Sequence, residues 1–353
     1  MGRRLHRADQ VLFYTSRGAR KGGLNVTARL VLFFTGGTIS MVVDPVTGGV
    51  IPALSGEQIV ASAPGIRSIA QVEIRDFARL PGPHMTPDDC LRLSRDIGSA
   101  LADSGVTGVV VAHGTDTLEE TAFIVDLVLD PAKPVVFCGA MRNASELSWD
   151  GPGNLMAAAV VAASQSSTGR GVLVVMNEGV HAAAEVTKTH TECVDAFRSP
   201  DFGPLGIVEK GRVLYYRDAP PRVHIPTARL DARVDLFKAA IGVDDRLIRY
   251  SVDCGTHGIV VEGTGCGNVT PPMAEGIRYA ISRNIPVVLV SRCPRGRVLD
   301  TYGYDGGGRR LREMGVIFGD NLNGQKARMK LMAALGAGFD RRQIREAFEQ
   351  GRY

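Results

Sequence analysis

The feature that most constrains the fold is a set of continuous apolar segments, each ending in a polar turn. The clearest is Gly108–Ala112, which runs directly into His113-Gly114-Thr115-Asp116-Thr117 and then into a helical pattern. Similar apolar segments occupy residues 29–34, 134–138 and 171–176. Uninterrupted apolar strands that alternate with amphipathic helices are typical of a parallel sheet with helices on both faces. The sequence therefore predicts an α/β fold.

Helix starts are marked by capping residues. Ser55 is the predicted N-cap of one helix, and Thr86 is the predicted N-cap of another, with Pro87 at its first position. Serine and threonine side chains accept hydrogen bonds from the first free N–H groups of a helix. Proline fits the first helical position because no N–H is required there.

The chain length of 353 residues favours two domains, at about 100–200 residues each. A segment rich in proline and charged residues predicts a linker at 216–235. It separates an N-terminal domain at 29–215 from a smaller C-terminal α/β domain at 236–353. The second domain has predicted strands at Leu236–Ile241, Gly258–Glu262 and Pro286–Ser291, and a final helix from Asn323.

The positive charge of the chain is concentrated at its start. Residues 1–29 carry seven basic groups and one acid, so the remainder of the chain sums to −2. We therefore expect residues 1–28 to be a disordered basic leader, and we expect no nucleic-acid partner. No apolar run approaches the ~20 residues of a membrane helix, so no membrane partner is expected either. Six widely spaced cysteines without a CxxC pair favour reduced thiols and a cytoplasmic location.

Several familiar site motifs are absent from the sequence. Gly36-Gly37-Thr38 lacks the ending of a P-loop, and the glycines at 263–267 do not match a dinucleotide turn. The seven histidines show no metal-ligand spacing, and no GxSxG elbow accompanies His113. The sequence thus predicts no metal and no organic cofactor, and a structural role for His113.

The motifs that remain point to a site built on threonine hydroxyl groups. Thr38, Thr115 and Asp116 all follow predicted strands, whose carboxyl ends share one edge of a parallel sheet. Lys188 stands out because the chain has only seven lysines. A desolvated, neutral lysine can take a proton from a threonine hydroxyl and so activate it.

Residues 34–40 and 108–118 resemble the two signature motifs of the bacterial-type L-asparaginases and glutaminases. The resemblance continues through residues 139–142, 148–155, 171–177, 186–189, 202–206 and 323–328. It covers the chain from about residue 29 onward. The fold it implies has two domains: a larger, mostly parallel sheet with helices on both faces, followed by a smaller C-terminal α/β domain.

The resemblance also implies roles for individual residues. Thr38 matches the family's nucleophile, and Thr115, Lys188 and Asp116 match its second catalytic group, with Asp116 also binding the substrate ammonium. The substrate-binding positions that the resemblance implies are Gly37, Gly82, Pro83, Gly114, Ala140, Met141 and Cys266. The implied reaction is attack on a carboxamide, an acyl-enzyme ester, loss of ammonia and hydrolysis. The resemblance further implies a homodimer or homotetramer in which a neighbouring subunit completes each site.

The sequence departs from the family in the loop after the first motif. Family members carry a tyrosine there that hydrogen-bonds the nucleophile, but residues 40–64 contain none, and Gly48 or Gly49 takes its place. General-base assistance contributes about 10²–10⁴-fold to rate. Tyr14, Tyr302 and Tyr304 are the candidate replacements.

Further departures affect substrate binding. Gly82 and Pro83 stand where the family has a serine and a glutamine that bind the substrate, and Cys266 stands where an asparagine reaches the neighbouring site. A lost hydrogen bond to a charged group costs about 1.5–3 kcal/mol. We therefore weigh three functions: asparagine hydrolysis first, an amide or ester hydrolase or acyl transferase with a different, larger substrate second, and a catalytically poor ligand-binding homologue third.

Overall fold

The computed structural model describes residues 28–350 of the protein. The predicted leader at 1–28 therefore lies outside the described residues, apart from Ala28, which opens the first strand. The larger domain contains the strands β1 (Ala28–Gly36), β2 (Met41–Val43), β3 (Val50–Pro52), β4 (Ala70–Leu80), β5 (Gly108–Ala112), β6 (Val135–Cys138), β7 (Val172–Met176), β8 (Gly179–Ala182), β9 (Thr187–Lys188), β10 (Phe197–Arg198), β11 (Gly206–Glu209) and β12 (Arg212–Tyr215). Its helices are α1 (Gly56–Ala61), α2 (Ile66–Ile69), α3 (Pro87–Ala102), α4 (Leu118–Leu129) and α5 (Gly151–Ala163).

The main sheet has the strand order β12-β11-β8-β7-β6-β5-β1-β4. Strands β4, β1, β5, β6 and β7 run parallel, as predicted. The remaining edge is antiparallel, which the sequence analysis did not anticipate. A two-residue turn at Asn177-Glu178, with both φ angles positive, folds β7 back into β8 because such turns match the twist of a hairpin.

Alternate residues of β1 pack into different cores. Leu30 and Leu32 pack with residues of α5, while Val31 and Phe33 pack with α3 and α4 on the opposite face. All four side chains are buried. This pattern explains why the strand is apolar throughout, and it confirms that helices cover both faces of the sheet.

The smaller domain contains the strands β13 (Val234–Lys238), β14 (Gly258–Gly263), β15 (Val287–Ser291) and β16 (Ile317–Phe318), and the helices α6 (Arg246–Asp253), α7 (Pro271–Ser282), α8 (Gly308–Met314), α9 (Gly324–Gly336) and α10 (Arg341–Glu349). The four strands form a parallel sheet in chain order. The strand predicted at 236–241 begins two residues too late and ends three residues too late, because β13 spans Val234–Lys238. Val234 is buried and pairs with Gly258, whereas Ile241 is fully exposed.

The predicted helix starts are confirmed. The Ser55 side chain accepts from the N–H of Gln58, and the Thr86 side chain accepts from the N–H of Asp89. Asn323 caps α9 in the same way through the N–H of Lys326, but α9 is not the final helix that was predicted, because α10 follows it. Within residues 28–350, no helix has the length and apolar character needed to cross a membrane.

Candidate active site

Three glycines bring the segments that follow three strands into direct contact. Gly37 follows β1, Gly114 follows β5, and Gly82 follows β4. A Cβ on Gly37 would lie 2.1 Å from the Cα of Gly114, and a Cβ on Gly114 would lie 2.9 Å from the Cα of Gly82. Side chains at Gly37 and Gly114 would separate the backbones, so glycine is required at these two positions by close approach.

Thr38 sits on the turn that this contact fixes. It begins a short 3₁₀ turn, Thr38–Ser40, in which the Ser40 N–H donates to Gly37 O at 2.9 Å. The Gly37 N–H donates to Leu80 O at 2.9 Å, which ties the turn to the end of β4. Gly37 has a φ of 78°, a value that side-chain-bearing residues rarely adopt. The turn therefore holds half-buried Thr38 at the carboxyl edge of the sheet.

Lys188 connects the two polar groups that follow β5. Its Nζ donates to Thr115 Oγ1 at 2.9 Å and to Asp116 Oδ1 at 2.7 Å. Thr115 is buried, and the Lys188 side chain is 15 % exposed, whereas the Asp116 side chain is 61 % exposed. The structure thus brings Lys188 to two adjacent residues that lie more than 70 positions before it in sequence, with the carboxylate on the solvent side.

The loop after β6 lies beside Thr115. A Cβ on Gly139 would lie 3.1 Å from the Thr115 methyl group. The N–H groups of Met141 and Arg142 donate to the Asp150 carboxylate at 3.0 Å and 2.9 Å. Ala140 is buried, and Met141 is partly buried. This loop is anchored by an acid at the start of α5, a contact that the sequence analysis did not identify.

Glu119 is a second residue that the sequence analysis missed. Its carboxylate accepts from Thr187 Oγ1 at 3.0 Å, from the Lys188 N–H at 3.3 Å and from Asn323 Nδ2 at 2.9 Å. Glu119 is 4 % exposed. The signal available in the sequence was a carboxylate in the first turn of a mostly apolar helix.

Of the remaining predicted binding positions, only Gly82 joins this cluster. Its carbonyl accepts from Thr117 Oγ1 at 2.8 Å, and it is buried, whereas Pro83 is exposed. Cys266 lies in a turn of the second domain, where its carbonyl accepts from the Leu299 N–H at 2.9 Å. Within residues 28–350 of one chain, no hydrogen bond joins Cys266 to the cluster.

The hairpin formed by β2 and β3 lies next to this cluster. It is fixed to the loop after β6, because the Ala144 N–H donates to Met41 O at 3.0 Å. Its tip is exposed, Gly48 there has a φ of 70°, and Val46 is 90 % exposed.

The two candidate tyrosines within the described residues belong to the second domain. Tyr302 and Tyr304 have ring centroids 5.5 Å apart in the second domain, and Tyr14 lies outside the described residues. In the described part of the chain, no hydrogen bond connects a tyrosine with Thr38.

His113 is fully buried. Its Nδ1 donates to Gly114 O at 2.8 Å, and its ring lies 6.1 Å from the ring of Phe137. Burial lowers the pKa of His113 to about 4, so the ring is neutral at physiological pH and supports the turn. Residues 28–350 contain no group of three or more histidine, cysteine, aspartate or glutamate side chains placed to hold a metal ion.

The fold and the cluster together define a class of α/β enzymes. In this class a threonine on a glycine turn lies near a second threonine, a lysine and a carboxylate. Comparison with known proteins identifies a family with the same two-domain organisation. The family described as "Asparaginase, N-terminal" matches residues 29–221, and the "Glutaminase/Asparaginase C-terminal domain" matches residues 233–348.

Three relatives illustrate the similarity. A "Probable L-asparaginase" of Deinococcus radiodurans is 39 % identical over 327 residues, which is 92 % of this chain and 98 % of that protein. "L-asparaginase 2" of Escherichia coli is 34 % identical, over 91 % of this chain and 92 % of that protein. The crystal structure of a "Probable Cytoplasmic L-asparaginase from Campylobacter jejuni" aligns with a TM-score of 0.82 and 32 % identity, covering 91 % of this chain and 99 % of that one. The chain belongs to the asparaginase/glutaminase family and is an amidohydrolase.

Proposed function

We propose that the protein hydrolyses the side-chain amide of L-asparagine to L-aspartate and ammonia. The observation that carries this proposal is the contact of Lys188 Nζ with both Thr115 and Asp116, beside the glycine turn that holds Thr38. The relatives named above support asparagine as the substrate.

In this proposal Thr38 Oγ attacks the amide carbon, and the carbonyl oxygen becomes an oxyanion. Backbone N–H groups near Thr38 and Thr115 stabilise that charge without reorganisation. The C–N bond then breaks. The nitrogen takes up the proton that the Thr38 hydroxyl has lost and leaves as ammonia, and an ester on Thr38 remains. Water then attacks the ester while Thr115, which is hydrogen-bonded to Lys188 Nζ, takes a proton from it. The ester C–O bond breaks, and Thr38 Oγ regains a proton as the free hydroxyl.

Asp116 has a second role in the proposal. Its carboxylate is the most exposed group of the cluster, so it can pair with Lys188 and still accept a hydrogen bond from a substrate ammonium. The remaining predicted binding positions, Gly37, Gly114, Ala140 and Met141, contribute backbone to the walls of the site.

A specific observation favours a second candidate function, the hydrolysis or transfer of a larger amide or ester. Gly82 offers no hydroxyl at the edge of the cluster, where the resemblance implies a serine that binds the carboxylate of the substrate. A free α-carboxylate therefore has no side-chain partner at this position. A substrate without a free α-carboxylate would not need one.

Ammonia release from L-asparagine and L-glutamine tests these alternatives, with Thr38→Ala and Lys188→Ala beside the wild type. Turnover that disappears in Thr38→Ala supports asparagine hydrolysis. Without turnover, labelling of Thr38 by an electrophilic acyl probe would favour the larger substrate. Absence of both, with thermal stabilisation by a ligand, would leave only the ligand-binding homologue.

We further propose that the protein is a cytoplasmic homodimer or homotetramer. All six cysteines lie within the described residues and are free thiols, which suits a reducing compartment. Exposed apolar side chains on the second domain, including Ile241 and Leu247, favour association of copies.

A further inference from the structure

Glu119 is buried at the edge of the cluster but has no part in the chemistry proposed above. It lies in the first turn of α4, directly after the segment that carries Thr115 and Asp116. One carboxylate oxygen accepts from Thr187 Oγ1 and the Lys188 N–H, and the other accepts from Asn323 Nδ2. Glu119 therefore connects the strand that carries Lys188 with the second domain.

Lys188 needs such support because its strand is short. β9 contains two residues and pairs only with the two residues of β10, outside both main sheets. Two backbone pairs fix the direction of a strand poorly. The hydrogen bonds from Thr187 and Lys188 to Glu119 add a buried anchor on the side of β9 that faces α4.

The second domain contributes its own anchor through the first turn of α9. Lys326 is fully buried, and its Nζ lies 3.7 Å from Glu119 Oε2. The same Nζ donates to Ala184 O at 3.1 Å and to Val186 O. Burial lowers the pKa of Lys326, and the charge of Glu119 opposes that shift. The buried lysine and Glu119 thus hold the segment that leads into β9 from two sides.

We propose that Glu119 is a positioning residue for the reaction: its carboxylate holds the backbone of β9 so that Lys188 Nζ reaches Thr115 and Asp116, and it ties this arrangement to the second domain. This inference rests on the proposed function, because Lys188 matters only if it acts on Thr115. Reacting groups misplaced by about 1 Å lose on the order of 10²-fold in rate.

Glu119→Gln is the first test. A glutamine of the same length retains one acceptor, but its NH₂ group must face the donors of Asn323 and Lys326 or those of β9. We expect kcat for the amide to fall ~10–100-fold, with KM nearly unchanged. Asp126→Asn is the matched control, since Asp126 is a buried carboxylate on the same helix that pairs with Arg222. It should lower Tm and leave kcat unchanged.

A double variant separates positioning from stability. Glu119→Gln with Lys326→Met removes both charges of the buried pair, so Tm should recover at least in part. The kcat of the double variant should stay low, because β9 has still lost its anchor. Recovery of kcat together with Tm, a kcat of Glu119→Gln equal to the wild type, or an equal loss in Asp126→Asn would each overturn the proposal.

A readout without turnover keeps this test independent of the substrate. An amine-reactive reagent, followed by mass spectrometry, measures how fast Lys188 is modified. Its side chain is 15 % exposed and held by two hydrogen bonds, so modification in the wild type should be slow. Severalfold faster modification in Glu119→Gln supports the proposal even if the wild type releases no ammonia, an outcome that would count against the proposed function alone. An unchanged rate overturns the proposal.

Discussion

At the scale of single residues, the site depends on how one lysine is held. Lys188 donates to Thr115 and Asp116, but the Asp116 carboxylate is mostly in solvent, so the ion pair itself contributes at most about 1 kcal/mol to stability. The contact therefore matters for chemistry more than for folding. A substitution here should separate the two.

Lys188→Met should abolish most activity and leave the fold intact. Methionine fills a similar volume without a basic nitrogen, so we expect kcat to fall by about 10²–10⁴-fold. Ammonia release measures kcat, and thermal unfolding measures the small change in Tm. Lys133→Met is the control, because Lys133 precedes β6 at the opposite edge of the sheet, where its Nζ donates to the carbonyls of Leu101 and Asp103. A Lys188→Met enzyme that keeps its kcat would remove the lysine from the mechanism.

Gly82→Ser should improve the binding of L-asparagine. The backbone of Gly82 lies within an ordinary 3₁₀ turn. The added Cβ would lie 3.3 Å from Thr117 Oγ1, 3.5 Å from Gly114 O and 3.6 Å from Asp116 Cβ, so a small shift of the Thr117 side chain accommodates it. One new hydrogen bond to a carboxylate is worth about 1.5–3 kcal/mol, so KM should fall roughly tenfold or more. Gly82→Ala is the control for the hydroxyl. Equal KM values for the serine and alanine variants would contradict the expectation.

At the scale of elements, the sequence predicted the central strands and the helix starts well. The apolar run Gly108–Ala112 has the same bounds in the structure, and Ser55 and Thr86 cap their helices. Both features depend on neighbouring residues alone. A fully buried strand is apolar throughout, and the first N–H groups of a helix need a nearby side-chain acceptor. The antiparallel edge β8-β11-β12 was missed because each of these strands has only four residues, too few to show a period.

The residues that hold the site in place were harder to predict. The contact between Glu119 and Asn323 joins positions 204 residues apart, and no local pattern in one sequence reports such a distance. Asp150 is also a support that the sequence does not reveal, since its carboxylate accepts hydrogen bonds from the N–H groups of the loop after β6. The reacting groups follow strands and are visible in the motifs, whereas their supports depend on tertiary structure.

Asp150→Ala should loosen the loop after β6. Two N–H groups, of Met141 and Arg142, would lose their acceptor, and a buried unsatisfied donor costs about 1–3 kcal/mol. We expect a lower Tm and a higher KM, because this loop lines the site beside Thr115. Asp218→Ala is the control, because the Asp218 side chain is 98 % exposed, and it should change stability by at most about 0.5 kcal/mol. Equal effects of the two substitutions would show that the loop does not need Asp150.

At the scale of the whole molecule, the second domain presents apolar side chains to solvent. Ile241 is fully exposed, and Leu247 and Tyr250 are 65 % and 68 % exposed. If these residues lie between copies, light scattering should give a mass at least twice that of one chain. Ile241→Lys with Leu247→Lys should then lower the mass and the activity together. A monomer of full activity would contradict the proposal that a neighbouring subunit completes the site.

The pH dependence of stability also belongs to the whole molecule, because two buried histidines lie in different parts of the larger domain. Burial lowers the pKa of both His113 and His181 from 6.5 to about 4. Between these two pH values the unfolded chain binds more protons than the native one, so the free energy of unfolding rises with pH over that window. Each histidine contributes up to ~3 kcal/mol, by 1.36 kcal/mol per pKa unit. This stabilisation is complete above pH 6.5 and is lost as the pH falls toward 4.

Urea unfolding at several pH values measures how steeply the free energy of unfolding changes with pH. This slope should decrease in His181→Asn and stay unchanged in His190→Asn, since His190 is an exposed histidine. If the slope is the same in His181→Asn as in the wild type, the acid sensitivity arises from other groups.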